Sequence, residues 1–425
     1  MPSTPRAEAS PVPSPLQQEI ARLASLPEIR ASFAWLRAQE TQFANWQLEM
    51  ARIAAPPFGE TARGAWLQDR FRELGLEDVH SDEVGNVLGV QGSTGGKPVK
   101  SCIALSAHID TVFPAGTPLN VRQQGSRLYG PGVSDNGAGA TAMLAIAAAL
   151  QNARKITHAT PILFIGNVGE EGEGDLRGMR HIFSHGRWKN SITFSLVLDG
   201  AGCDTIVAEA LGSRRFEVIV RGPGGHSWSD FGMPNPILVL ARAIQLFSQT
   251  PVPTSPKTTF NIGVVRGGTS VNSIPESASM RVDIRSTSMA EMERMEAALR
   301  LALEHAITEE SQASERRTPS QRRSSGLSYE IVPIGNRPAG ELDGNAHMLK
   351  VIRAVDAHLG NAAQVQRAST DANIPLSLGR EAIAIGGGGV GGGAHTLQEW
   401  FDCSGRELGL KRILLTLLAL AGVAE

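Results

Sequence analysis

Four short apolar runs, at residues 103–105, 162–165, 196–198 and 382–385, constrain this chain more than any other feature. Each is too short for a helix and carries no internal polar alternation. An alanine-rich stretch at 138–150, read as a helix, lies between the first two. Short apolar strands alternating with helices indicate an α/β fold with a largely parallel sheet covered on both faces. Ahead of them, residues 16–54 show helical periodicity and no strand pattern. Residues 60–76 read as a further amphipathic helix, stopped near Gly75.

From about Gly212 the pattern changes. Strands are expected at 215–220, 258–265 and 279–284, and helices at 237–247 and 290–307, with room for one more short strand. That order describes a small α+β sandwich, an open sheet with two helices on one face. It ends in a polar stretch, 308–325, with four arginines and five serines, read as a solvated loop. The α/β character then resumes with a strand at 328–332, a helix near 348–359, a strand running into glycines, and a last helix over 406–423. The expected organisation is a tail at 1–15, a catalytic α/β domain formed by 16–211 and 326–425 around a mixed, mostly parallel sheet, and an inserted α+β domain at 212–325.

Composition narrows the function. With 41% hydrophobic and 19% charged residues the chain can bury a sizeable core. A net charge of −2 gives no general reason to expect nucleic acid or an anionic membrane as partner. Cys102, Cys203 and Cys403 are far apart, which is neither a disulfide framework nor a thiolate zinc site. No run reaches the ~18 apolar residues of a membrane span. The Ser-, Pro- and Ala-rich start lacks an apolar signal segment and reads as a flexible tail. A reducing cytoplasm is the expected location.

The chemistry sits where the apolar runs end. The first runs out into Ser106-Ala107-His108-Ile109-Asp110. The loop before the alanine-rich stretch holds Ser134-Asp135-Asn136-Gly137. The next strands end in Gly169-Glu170-Glu171-Gly172 and Leu198-Asp199-Gly200, and the last in glycines followed by Ala394-His395. In open α/β sheets, sites form at the carboxyl edge of the strands, so these segments can converge. Two imidazoles and several carboxylates, with no thiolate, suit zinc, cobalt or manganese. Five such donors exceed the three of a mononuclear catalytic zinc site and suit two ions sharing one carboxylate and a water. Each piece alone is weak, since an Asp before a helix is usually an N-cap and a Glu pair is usually solvated. Their joint occurrence in this order carries the reading.

These motifs resemble the M20 metallopeptidases, which include peptidase T-like aminopeptidases, dipeptidases, carboxypeptidase G-like enzymes and deacylases. The resemblance covers nearly the whole chain after about residue 55. It implies that His108 and Asp199 hold one metal ion, with Asp110 behind His108. Asp135 would bridge, followed by a cis peptide bond to Asn136. Glu171 and His395 would hold the second ion, and Glu170 would be the general base.

In the inserted block, Gly222-Pro223-Gly224-Gly225-His226-Ser227 is similar to a family motif whose histidine steadies the oxyanion in a partner subunit's site. Val271-Asn272-Ser273-Ile274-Pro275 and Asp283-Ile284-Arg285 are similar to substrate-binding segments, with Asn272 and Arg285 toward a carboxylate. Ser369-Thr370-Asp371-Ala372 resembles a segment lining the site, where Asp371 would contact substrate or brace the loop. The resemblance further implies a homodimer through the inserted domain and hydrolysis of amide bonds in small peptides. Cleavage of N-acyl amino acids by the same residues is the alternative, and a non-catalytic binding protein on the same scaffold is a distant one.

Overall fold

The computed structural model describes residues 13–92, 99–153, 156–317 and 326–423. Three helices, Pro15–Ser25, Pro27–Ala38 and Glu40–Ala51, lead into a fourth, Thr61–Glu73. Ser14 caps the first by accepting from Gln17 N, while Gln17 returns a bond to Ser14 N.

The main sheet is mixed. Its centre is parallel: Ile162–Asn167, Cys102–His108, Ile192–Leu198 and Glu381–Ile385 lie side by side. Val87–Gln91 and Glu77–Ser81 extend one side antiparallel, and Thr205–Ala210 joins antiparallel at the other. Cys102–His108 and Ile162–Asn167 are buried throughout, as strands covered on both faces must be. One cover is the helix Gly137–Asn152, buried from Gly137 to Leu150; its alanines let the helix lie close to the sheet. The expected α/β class with a mostly parallel centre is thus what the chain forms.

The inserted layer is a four-stranded antiparallel sheet in the order Thr258–Gly267, Ser277–Ser286, Gly212–Arg221, Ser328–Arg337. Helices Pro236–Ser248 and Met289–Arg317 cover one face through a core that includes Phe216, Val218, Met280, Ile284 and Leu299. Two expectations are corrected. The polar stretch expected as a loop from 308 is helical through Arg317, because Ala306, Glu310 and Ser314 continue a buried stripe at helical spacing. Glu310 is buried there against Arg242 and Arg317. Residues 318–325 of that stretch lie outside the described residues, as does most of the expected tail. The strand expected to resume the catalytic α/β domain, 328–332, instead runs to Arg337 and pairs with Gly212–Arg221, so the boundary drawn at 325 falls before a strand of the inserted sheet.

A third, small sheet was not expected. Val390–Gly392, Trp400–Asp402, Arg127–Tyr129 and Arg122–Gln124 pair antiparallel. It binds the glycine-rich segment to the loop 130–136, and so brings two ends of the sequence to one place.

Candidate metal centre

The carboxyl edge of the central strands gathers the predicted residues. His108 ends its strand with its ring buried. Its Nε2 lies 3.3 Å from Asp135 Oδ1 and 3.8 Å from Asp199 Oδ1. The other oxygen of Asp135, Oδ2, lies 3.1 Å from His395 Nε2, which is also 3.2 Å from Glu171 Oε1. One carboxylate therefore faces two imidazoles, each with a further carboxylate beside it. Donor atoms of His108, Asp135 and Glu171 fall within 4.8 Å of one another and form a candidate metal site.

Local structure explains the convergence. The Asp135–Asn136 peptide bond is cis. Asn136 caps the helix Gly137–Asn152: its Oδ1 accepts from Gly139 N and Gly200 N, both at 3.0 Å, and its Nδ2 donates to Leu198 O at 2.8 Å. This one amide ties the Asp135 turn to the Asp199 turn. The approach requires glycine at 139, where a Cβ would sit 2.3 Å from Asn136 Oδ1. His395 has φ 64°, the left-handed region rarely taken by a non-glycine residue.

Asp110 is fully buried. Its Oδ1 accepts from Glu170 N at 3.0 Å and its Oδ2 from Glu171 N at 2.8 Å. His108 Nδ1 lies 3.5 Å from Asp110 Oδ1 and 3.2 Å from the Asp110 carbonyl oxygen. Asp110 thus orients the imidazole and shapes the glutamate pair together. The two glutamates part as neighbours in an extended chain should: Glu171 turns to His395, and Glu170 Oε1 accepts from Arg337 Nη1 at 2.8 Å. Asp371 is buried beside the cluster and accepts from Asn167 Nδ2 at 2.6 Å.

Two residues that no sequence reading assigned a role complete the cluster. Arg337 is one; its partner is 167 positions away. Glu399 is the other. Buried beneath the metal loop, it accepts from Ser134 N and Asp135 N at 2.7 Å and from Gly132 N at 2.8 Å. Its place four residues after His395 was its only trace in the sequence.

Three predicted residues lie apart from the cluster. His226 is exposed on a two-residue strand paired with Ser273–Ile274. Its Nδ1 accepts from Trp228 N at 3.2 Å, which leaves Nε2 to carry the proton and donate outward. Asn272 O accepts from Ser227 N at 3.0 Å, so it shares that hairpin. Arg285 donates to Asp283 at 2.7 Å and lines a cavity of about 320 Å3 with Lys257 and Arg367. Strand register sets Arg285 and Arg337 on either side of Ser213, on the sheet face turned away from the helices.

Electrostatics separate the carboxyls. Burial opposes charge on His108, but its bonds to Asp110, Asp135 and Asp199 outweigh this and hold its pKa well above the ordinary value. Burial works against the Asp135 carboxylate too, yet its bonds to both imidazoles keep its pKa below the usual range. His395 is raised to about 9, chiefly by its bond to Asp135. Burial raises Glu171 to about 7 and Asp371 to about 7. Burial also lifts Glu170 well above the usual value, against the pull of Arg337.

Imidazole and carboxylate donors aimed at one point, with a carboxylate behind His108, fit a divalent cation. Such an ion must displace the protons held more tightly at His108 and His395, and at Glu171 below about pH 7. Metal affinity is therefore expected to rise between about pH 6 and 8, by ~10-fold per unit for each proton displaced. Chelator competition at about pH 6, 7 and 8 measures the slope; a flat profile would rule out these donors.

The fold is a mixed α/β sheet with a candidate metal centre at its carboxyl edge and an α+β layer beside it. Comparison with known proteins makes this specific. Residues 104–419 match the profile of peptidase family M20/M25/M40, and the chain belongs to that family. A probable carboxypeptidase of Aspergillus clavatus is 33% identical over 210 residues, 43% of this chain and 44% of the relative. Carboxypeptidase G2 of a Pseudomonas species is 25% identical over 231 residues, 53% of this chain and 55% of the relative. The chain thus spans about half the length of the curated relatives it matches. Among solved structures, aminopeptidase PepT of Bacillus cereus superposes with a TM-score of 0.69 at 22% identity, covering 90% of this chain and 99% of the other. A dinuclear metal-binding M20 peptidase of Bacillus subtilis superposes at 0.61 and 16% identity, covering 91% of this chain and all of the other. Among the described residues no helix is long and apolar enough to cross a membrane.

Proposed function

We propose that this enzyme hydrolyses the amide bond of small peptides that carry a free carboxylate, using water activated at a two-ion centre. The observation that carries the reading is the Asp135 carboxylate, whose two oxygens face two separate imidazoles. His108, Asp135 and Asp199 would hold one divalent ion, and Asp135, Glu171 and His395 the other. Zinc suits the donor set, with cobalt or manganese as alternatives; bound there, the ions would supply Lewis acidity toward a carbonyl and a water of lowered pKa.

The chain's own residues do the rest. Glu170 takes the proton of the attacking water and returns it to the leaving amine. Burial raises its pKa above the ordinary carboxylate value, the direction that strengthens a proton acceptor. Asp110 holds the His108 ring and the Glu170 and Glu171 backbone in place. Arg285, beside Lys257 and Arg367, receives the substrate carboxylate, with Asn272 at the neighbouring carbonyl. His226 Nε2 is an outward donor; in a homodimer formed through the inserted layer it would reach the oxyanion in the partner's site. Relatives named carboxypeptidase support the substrate class. The unpaired thiols of Cys102, Cys203 and Cys403 suit a cytoplasmic setting.

The test is a panel of di- and tripeptides beside N-acetyl, N-succinyl and N-carbamoyl amino acids, offered to metal-stripped protein refilled with zinc, cobalt or manganese. Metal-dependent cleavage of peptides, lost when the substrate carboxylate is amidated, is the expected result. Cleavage of acylated amino acids alone would transfer the enzyme to the deacylases with the same site. No turnover on any member would overturn the catalytic reading.

A further inference from the structure

Arg337 closes the last strand of the inserted sheet, yet its side chain is buried against the loop that carries Glu170. Its Nη1 donates to Glu170 Oε1 at 2.8 Å and to Ser369 Oγ at 3.2 Å. Its Nη2 donates to the carbonyl oxygen of the same glutamate. One guanidinium therefore grips both the side chain and the main chain of Glu170. The preceding residue is bound to the same region: Asn336 N donates to Asp175 at 3.0 Å, and Arg180 donates to Asn336 O. By comparison, the buried pair Arg412 with Asp356 links two helices.

We propose that Arg337 is a positioning residue for the Glu170 carboxylate. It occupies Oε1, leaves Oε2 to exchange a proton, and sets the place of the carboxylate relative to the inserted sheet that also carries Arg285. The inference rests on the reading of Glu170 as the base. The chemistry favours arginine: a planar fork can donate in two fixed directions at once, whereas an ammonium is a point donor. Holding Glu170 toward Arg337 also separates it from the adjacent Glu171, which would otherwise compete for the same imidazole. A displacement of ~1 Å in a catalytic group can cost ~100-fold in rate, so a fixed Oε1 matters to turnover more than to substrate affinity.

The test compares Arg337→Ala, Arg337→Lys and Glu170→Gln. In a crystal structure of Arg337→Ala the Glu170 carboxylate is expected to leave its position. On the best-cleaved member of the panel, kcat should fall ~100-fold with KM changed by less than about 3-fold. Arg337→Lys should restore little of it. Guanidinium ion at sub-denaturing concentration should recover part of kcat in Arg337→Ala and none in Glu170→Gln. An unmoved carboxylate, an unchanged kcat, or a loss confined to KM would overturn the proposal. If Glu170→Gln turns over normally while Arg337→Ala displaces the carboxylate, the base reading fails and the positioning stands. If Glu170→Gln is inactive and Arg337→Ala is not, the positioning fails alone. Arg337→Gln, which keeps a donor without the charge, carries the same measurements should the alanine variant not fold.

Discussion

Glu170→Gln is expected to lower kcat by ~10²–10⁴-fold, the range for removal of a general base, with metal content unchanged. The substitution keeps the shape of the side chain and a carbonyl oxygen to accept from Arg337. It removes only the capacity to hold a proton. Among the described residues Glu170 forms its side-chain bond with Arg337, while Glu171 lies 3.2 Å from His395. Glu171→Gln should therefore give the opposite pattern, with metal lost first and activity following. Metal analysis beside steady-state kinetics on the same preparations separates the two. If Glu170→Gln sheds metal, or keeps its turnover, the roles assigned to this pair are wrong.

Asp135→Ala should remove metal and activity together, because its two oxygens lie within 3.3 Å of the two imidazoles. Losing a shared donor is expected to weaken both ions at once, where losing His108 or His395 weakens mainly one. The expected result is ~10²-fold or greater loss of metal affinity, beyond the ~10–100-fold seen on removing a group behind a ligand. Folding should survive, since Glu399 still accepts the three backbone N–H groups of the loop. Isothermal titration of zinc into the stripped variant measures this. Two ions bound with normal affinity would require a different donor list.

How much of this was legible beforehand differs by residue. His108, Glu170 and Asp199 were readable because each closes an apolar run, and the strand edge is a place that topology predicts. His395 and Asp135 needed more. They meet through the small sheet that pairs Trp400–Asp402 with Arg127–Tyr129, and strands of three residues leave almost no hydrophobic pattern. Arg337 and Glu399 were opaque for a related reason. Each acts on a distant segment, Arg337 on Glu170 and Glu399 on the backbone of Gly132, Ser134 and Asp135, and a lone charge beside a strand looks the same whether it faces solvent or buried polar groups. The helix through Arg317 was hidden because its charged residues obscured a buried stripe of one small or paired side chain per turn. His226, Asn272 and Arg285 were marked by resemblance alone, and the proposed dimer is what would bring His226 to a partner's site.

The most direct test of the account counts ions and turnovers in one titration. Zinc is added stepwise to stripped protein, bound metal per chain is measured by mass spectrometry, and each point is assayed on the best-cleaved substrate. Turnover should be absent at the start and saturate as about two ions bind per chain, with the second ion lost in His395→Ala. Full turnover in stripped protein, or saturation that Asp135→Ala leaves untouched, would contradict a shared centre at these residues.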